Sequence, residues 1–320
     1  MTISTYTYPG LGLAEAGDRH TVSTFSIAES LTRYVCDSVH SEHSRVAYAR
    51  AIRDFLAWVG QKPEMPLFSR ALVQEYRANL EGHGKRPPTI NQALSAIRKL
   101  ASEAAAAGGL DPGVAASISS LRGVPVRGSR AGNWLGQEDM LSLLVAPDQT
   151  TLRGRRDFVL LGLLMGAGLR RAEACGLAIE QIQHRDGRMM VVDLIGKGQR
   201  LRTVPLPQVL WSGVNDWIGH LGSNHGLPLL RRVDGHGSLT EKPLTASGAW
   251  WVVRAYAEKL GFPAVRPHDL RRTFAKAALR GGAEMDQIRA ALGHSNVAVT
   301  QRYCGQEMYL DNPACEKLGL

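Results

Sequence analysis

Apolar positions between residues 24 and 108 recur every three or four residues, the period of an amphipathic helix, and no stretch alternates convincingly with the period of a strand. SIAESLTRYVCDSV opens this region, and the spacing across residues 43–60 puts Tyr48, Ile52, Phe55, Leu56 and Val59 on one face. SRALVQEYRANLEGHG (69–84) and TINQALSAIRKLASEAAAAG (89–108) predict two more helices, each stopped by glycine. Four helices without a strand predict a small all-α domain. Residues 1–22 lack periodicity and are expected to form a leader.

The pattern lapses in GVPVRGSRAG (123–132), which is rich in Gly, Pro and Arg and reads as a linker. The charge excess of Arg122, Arg127 and Arg130 suits equally a path along a phosphate backbone and a solvated tether. Helical spacing resumes in GQEDMLSLL (136–144) and in GRRDFVLLGLLMGAGLRRAEACGL (154–177). The period then changes. MMVVDLIGKGQRLRTVPL (189–206) holds two β-rich runs around Gly-Lys-Gly, which predicts a β-hairpin. Helices are expected from there to the end. The fold class is therefore mainly α with a small β-hairpin or sheet, in two domains, one all-α and one α+β.

Composition narrows the function. Lys and Arg outnumber Asp and Glu by 38 to 29, and the net charge of +9 favours a polyanionic partner, most simply nucleic acid. No apolar run approaches the roughly 20 residues that span a bilayer, and the N-terminus lacks the pattern of a signal peptide, so a cytoplasmic protein is expected. Cys36, Cys175, Cys304 and Cys315 form no CxxC pair, which suggests neither a zinc site nor a disulfide framework.

Several polar constellations carry possible chemistry. In RPHDLRRT (266–273), Pro267 suits the first turn of a helix, so His268 and Arg271 share a face near an N-terminus suited to anions. GLRRAE (168–173) sets Arg170 just after a Gly turn, as a phosphate clamp, with Glu173 three residues on to hold a neighbouring donor. GKGQRLR (196–202) places Lys197 at a hairpin tip, free to swing into a cleft. In ALGHSNVAVTQRYCG (291–305), His294 stands nine residues before Tyr303 in what reads as helix-turn-helix. Each motif alone also fits a solvated helix end, a surface ion pair or simple turn chemistry.

Taken in order, GLR-x-x-E, GKG-x-(basic)-x-R-x-VPL, H-x-L-R and LGH with its later tyrosine resemble the active site of the tyrosine recombinases, the phage-integrase family that includes Xer-like and Cre-like enzymes. The likeness spans about 135 residues of the second half and extends more weakly to TINQALSAIR (89–98), which resembles a core-binding helix. Cys304-Gly305 departs from the Thr-His that often follows the tyrosine in relatives. The resemblance implies a clamp on DNA, with a helical core-binding (SAM-like) domain at 23–121, a linker at 122–133, a catalytic domain at 134–309 and a tail at 310–320.

It further implies an enzyme that cleaves and rejoins strands through a 3′-phosphotyrosyl intermediate and a Holliday junction. Tyr303 is the expected nucleophile, and Tyr309 lies outside the motif spacing. Arg170, Arg271 and His294 are expected on the phosphate oxygens, His268 as proton acceptor and Lys197 as proton donor to the leaving group, with Glu173 in support. A phenol has an ordinary pKa of about 10, so only roughly one in a thousand is ionised at neutral pH, which is why the nucleophile needs these neighbours. No cofactor and no metal are expected. The implied partner is duplex DNA with inverted-repeat core sites, bound by a homotetramer or by a hetero-tetramer with a related recombinase. The compact layout favours a Xer-like or transposon-encoded resolvase or integrase. A type IB topoisomerase and a non-catalytic helix-turn-helix regulator are the alternatives.

Overall fold

The computed structural model describes residues 24–39, 42–63, 67–125, 133–196, 201–222 and 226–304. The chain divides into two compact units, Met1–Ser129 and Arg130–Leu320. No helix among the described residues is long and apolar enough to cross a membrane.

The first unit contains α1 (Thr24–Asp37), α2 (Glu42–Val59), α3 (Arg70–Gly82), α4 (Pro87–Ala106) and α5 (Pro112–Ser119). Its core comes from the stripes expected of amphipathic helices: Ile52, Phe55 and Val59 of α2, Val73 and Tyr76 of α3, and Ile90, Leu94 and Ile97 of α4 are all buried. The buried alanines of α4 (Ala93, Ala96, Ala101, Ala104) keep its inward face shallow, so neighbouring helices approach closely. Ser69 caps α3 by accepting from Leu72 N, the part a serine plays at a helix start. The fifth helix was not expected. Its start is nonetheless written in the chain, because Asp111 caps it through Val114 N and Pro112 occupies its first turn. At eight residues it is too short for periodicity to reveal it.

The second unit runs α6 (Gln137–Val145), α7 (Leu152–Gly166), α8 (Arg171–Cys175), β1 (Ile182–Arg185), β2 (Arg188–Ile195), β3 (Leu201–Pro205), α9 (Trp211–Leu221), β4 (Arg231–Val233), β5 (Leu239–Pro243), α10 (Ala246–Lys259), α11 (Pro267–Arg280), α12 (Met285–Leu292) and α13 (Val297–Cys304). Helix α7 is buried nearly all round, from Phe158 to Met165, and forms the centre of the core. The expected hairpin is present as antiparallel β2 and β3, but β1 joins it in a three-stranded sheet of order β1-β2-β3. The β1–β2 turn is Asp186-Gly187, both with positive φ, the backbone that a two-residue hairpin needs. That dipeptide was the available signal for β1.

One further expectation is met and one is corrected. Residues 154–177 hold two helices around the expected glycine turn: α7 ends at Gly166 and α8 begins at Arg171. Gly168 makes the break, at φ +63 and with the Phe274 ring so close that an added Cβ would lie 2.5 Å from it. The region after β3 is not helical throughout, since β4 and β5 form a second antiparallel pair. Asp234 organises their connection by accepting from His236 N and Ser238 N. The chain enters this unit tied to α11 and the loop before it, because Thr273 Oγ1 accepts from Leu135 N, Ala264 O accepts from Asn133, and Lys276 Nζ lies 3.2 Å above the Trp134 ring.

Candidate active site

The Gly168 turn does more than end α7. Its carbonyl accepts from Arg271 Nη1 at 2.5 Å, and two residues later Arg170 takes the N-cap position of α8. Glu173, in the first turn of α8, accepts from Arg170 N at 2.8 Å and from Arg170 Nη1 at 2.7 Å. The same carboxylate accepts from Arg202 Nη2 at 2.7 Å and lies 3.8 Å from Arg271 Nη1. One acid thus collects three guanidinium groups from α8, β3 and α11. Burial pushes the Glu173 carboxyl up, but hydrogen bonds from Arg202 and the Arg170 backbone outweigh it and hold the pKa at about 2.

Arg271 is 1% exposed, yet its charge is well placed. Besides Gly168 O, it donates to Leu292 O and approaches His294 Nε2 at 3.4 Å. Arg202 supports the same turn from the other side, donating from Nε to Ala291 O at 3.0 Å. The C-terminus of α12 therefore rests on two arginines through carbonyls that the helix leaves without internal partners. Gly293 follows in the left-handed conformation at φ +61, with Arg202 atoms 3.2 Å from where a Cβ would stand. Only glycine closes this turn without strain, and it delivers His294.

His268 is the second residue of α11, behind Pro267 at the first position, as expected. Crowding around the ring, then the charges of Arg272, Arg271 and Arg170, press its pKa down to about 4. His294 is likewise lowered to about 4, by burial first and then by Arg271, Arg170, Arg202 and His268. Both rings are neutral at neutral pH in the free protein. His294 Nδ1 lies 3.0 Å from the hydroxyl of Thr300, a residue with no solvent exposure on α13. Ala275 of α11, Ile288 and Leu292 of α12 and Cys304 of α13 share one small apolar cluster that holds these helices together.

The geometry brings together Arg170, Glu173, His268, Arg271 and His294, drawn from three stretches of chain far apart in sequence. Arg170 keeps 35% of its side chain exposed, the most of the three arginines paired with Glu173, and so has guanidinium edge available for an anion. The backbone of Tyr303 lies in α13, one residue before Cys304. The Tyr303 side chain, Lys197, Tyr309, Cys315, Arg127 and Arg130, the leader and the tail at 310–320 lie outside the described residues. Two residues escaped the sequence reading. Arg202 had a signal, since it is the arginine of the R-x-VPL motif two places after the basic residue. Thr300 had none beyond its place one turn before Tyr303.

A model of the phage integrase family matches residues 133–308, and one of the phage integrase N-terminal SAM-like domain matches residues 29–108. The chain therefore belongs to the phage integrase family, the tyrosine recombinases, enzymes that cleave and rejoin DNA strands. Among its relatives, a tyrosine recombinase XerC from Xylella fastidiosa (strain M23) is 28% identical over 269 residues, covering 82% of this chain and 86% of its own. A tyrosine recombinase XerD from Lacticaseibacillus casei is 26% identical over 264 residues, covering 81% of this chain and 86% of its own. In fold, the chain is similar to the XerH site-specific recombinase bound to palindromic difH substrate, with a TM-score of 0.67 at 17% identity over 89% of this chain and 82% of the other. A lambda integrase dimer bound to a COC′ core site aligns with a TM-score of 0.65 at 14% identity, over 89% of this chain and 79% of the other.

Proposed function

We propose that this tyrosine recombinase acts as a site-specific integrase or resolvase on duplex DNA bearing inverted-repeat core sites. The observation that carries the proposal is the cluster built on Glu173, in which Arg170 and Arg271 pair with its carboxylate, His268 and His294 lie within reach of their charges, and Arg271 meets His294 at the end of α12 that adjoins the tyrosine helix. Attack on a phosphodiester builds negative charge on the phosphoryl oxygens, and cations fixed beforehand stabilise that charge at no cost in reorganisation.

In the proposed reaction the Tyr303 oxygen attacks phosphorus and the bond to the 5′ oxygen breaks. His268, neutral in the free protein, takes the phenolic proton; burial and then the arginine charges depress its basicity, and an incoming phosphodiester anion offsets the arginine part. Arg170 and Arg271 hold the non-bridging oxygens, His294 adds a further donor, and Lys197 protonates the departing 5′ oxygen. The 3′-phosphotyrosyl bond conserves the energy of the bond it replaces, so a second 5′ hydroxyl reverses the step on another strand. Atoms balance without a cofactor.

The reading extends to assembly. Four protomers act on two sites through a Holliday junction, as a homotetramer or with a related recombinase supplying half the subunits. Residues 23–121 serve as the core-binding domain and 134–309 as the catalytic domain, joined by the linker at 122–133. The protein works at the nucleoid. The test is incubation with a plasmid carrying two copies of its inverted-repeat site. Recombinant circles and a four-protomer synaptic complex are the expected result; relaxation of supercoils by a monomer, without exchange, would assign it to topoisomerase chemistry instead.

A further inference from the structure

Thr300 lies buried on α13, one helical turn before Tyr303, and its hydroxyl is 3.0 Å from His294 Nδ1. The other ring nitrogen, Nε2, faces Arg271 Nη2 at 3.4 Å. A guanidinium only donates, so in this arrangement Nε2 is the accepting nitrogen and the ring proton sits on Nδ1, donated to Thr300 Oγ1. The ring does not carry both protons at neutral pH, because burial and the surrounding arginines hold its pKa at about 4. A His294 that donates to a phosphate oxygen needs its proton on Nε2 instead. Between the free protein and the loaded site, the imidazole must therefore exchange tautomers.

We infer that Thr300 is a positioning residue whose hydroxyl, able both to accept and to donate, partners Nδ1 in either tautomer and so lets a neutral His294 present an Nε2–H to the scissile phosphate. A carbonyl at this place would fix the proton on Nδ1 and leave nothing to donate from Nε2. An aliphatic side chain would leave Nδ1 buried without a partner once the proton moved. The hydroxyl avoids both. It also joins the nucleophile's helix to the turn that carries His294, so the two groups reach the phosphate in register. The inference rests on the proposed role of His294 as a phosphate donor.

The test is single-turnover cleavage of a nicked suicide duplex bearing the protein's site, by Thr300→Val and Thr300→Ser, each alone and combined with His294→Ala. Val has nearly the shape of Thr without the hydroxyl, and thermal melts of each variant show whether folding is intact. The expected results are a roughly 10- to 100-fold slower cleavage for Thr300→Val, the size seen when a partner that orients a metal-ligating histidine is lost, and near-normal rates for Thr300→Ser. In the His294→Ala background Thr300→Val should add less than about twofold, because the ring it serves is gone. A penalty that persists undiminished in that background overturns the inference and makes Thr300 a packing residue of α13. A Thr300→Val rate equal to the parent also overturns it. Full activity of His294→Ala alone would instead strike the proposed role of His294, which keeps the two failures apart. Independently, nitrogen NMR of the free protein should find the His294 proton on Nδ1, and of Tyr303→Phe bound to the intact site, on Nε2; a proton already on Nε2 in the free protein contradicts the inference.

Discussion

Replacing Glu173 by Gln removes one negative charge from the centre of three arginines and keeps the shape of the side chain. The Glu173 carboxyl stands at about 2 against an ordinary 4.5, and its side chain is only 9% exposed. At roughly 1.4 kcal/mol per pKa unit, this difference corresponds to about 3 kcal/mol favouring the folded, ionised state. The folded pKa is depressed, so this stability is fully present above pH 4.5 and is lost as pH falls toward 2. Gln imitates the protonated carboxyl and does not titrate. The Glu173→Gln chain should therefore be about 3 kcal/mol less stable at pH 7, with the deficit shrinking to less than half by pH 3. For a domain of this size that means a melting temperature roughly 6–12 °C lower at neutral pH. Calorimetry of the full chain at several pH values reads both quantities. With Arg170 no longer held, cleavage should also slow about 10- to 100-fold. A loss under about 1 kcal/mol, or a deficit that stays constant with pH, would refute the view of Glu173 as the common anchor of the arginines.

Arg170→Ala should slow strand cleavage about 10²–10³-fold, the usual cost of deleting a transition-state donor, with little change in melting temperature because its side chain is partly exposed. Arg271→Ala should lose rate and stability together, since it also leaves Gly168 O and Leu292 O without a donor; a purely kinetic effect there would contradict the geometry. Lys197→Ala should recover cleavage when the bridging 5′ oxygen is replaced by sulfur, a far weaker base on leaving, whereas Arg170→Ala should not; equal rescue of both would remove Lys197 as the proton donor. In the free protein, His268 and His294 should titrate by NMR near pH 4, and midpoints near 6.5 would show that burial and the arginines do not press on them as described.

The site was more legible in the chain than the fold around it. Arg170, His268, Arg271 and His294 sit in short motifs whose local frame fixes their meaning: a glycine turn before one, a proline helix start before two others, a glycine helix end before the last. Arg202 sits in the R-x-VPL motif, but within a strand, a setting that does not give its role away. Its partners, Glu173 and Ala291, are 29 and 89 residues away, and only folding brings them to it. Thr300 is hidden for another reason, because a threonine on a short helix gives no hint that it faces a ring nitrogen. In the fold, the long amphipathic helices followed from periodicity, while α5, β1, β4 and β5 are too short to show a period. In the 154–177 run continuous hydrophobicity marks α7 as buried, and the glycine turn before Arg170 marks where the run breaks.

The central claim is that Tyr303 becomes covalently joined to DNA. It is tested most directly by trapping the protein on a nicked suicide duplex, digesting the adduct and locating the modified residue by mass spectrometry, with Tyr303→Phe alongside. The account predicts a 3′-phosphonucleotide on the peptide containing Tyr303, and a Tyr303→Phe protein that binds the duplex without forming the adduct. An adduct on Tyr309, or one that survives in Tyr303→Phe, would contradict it.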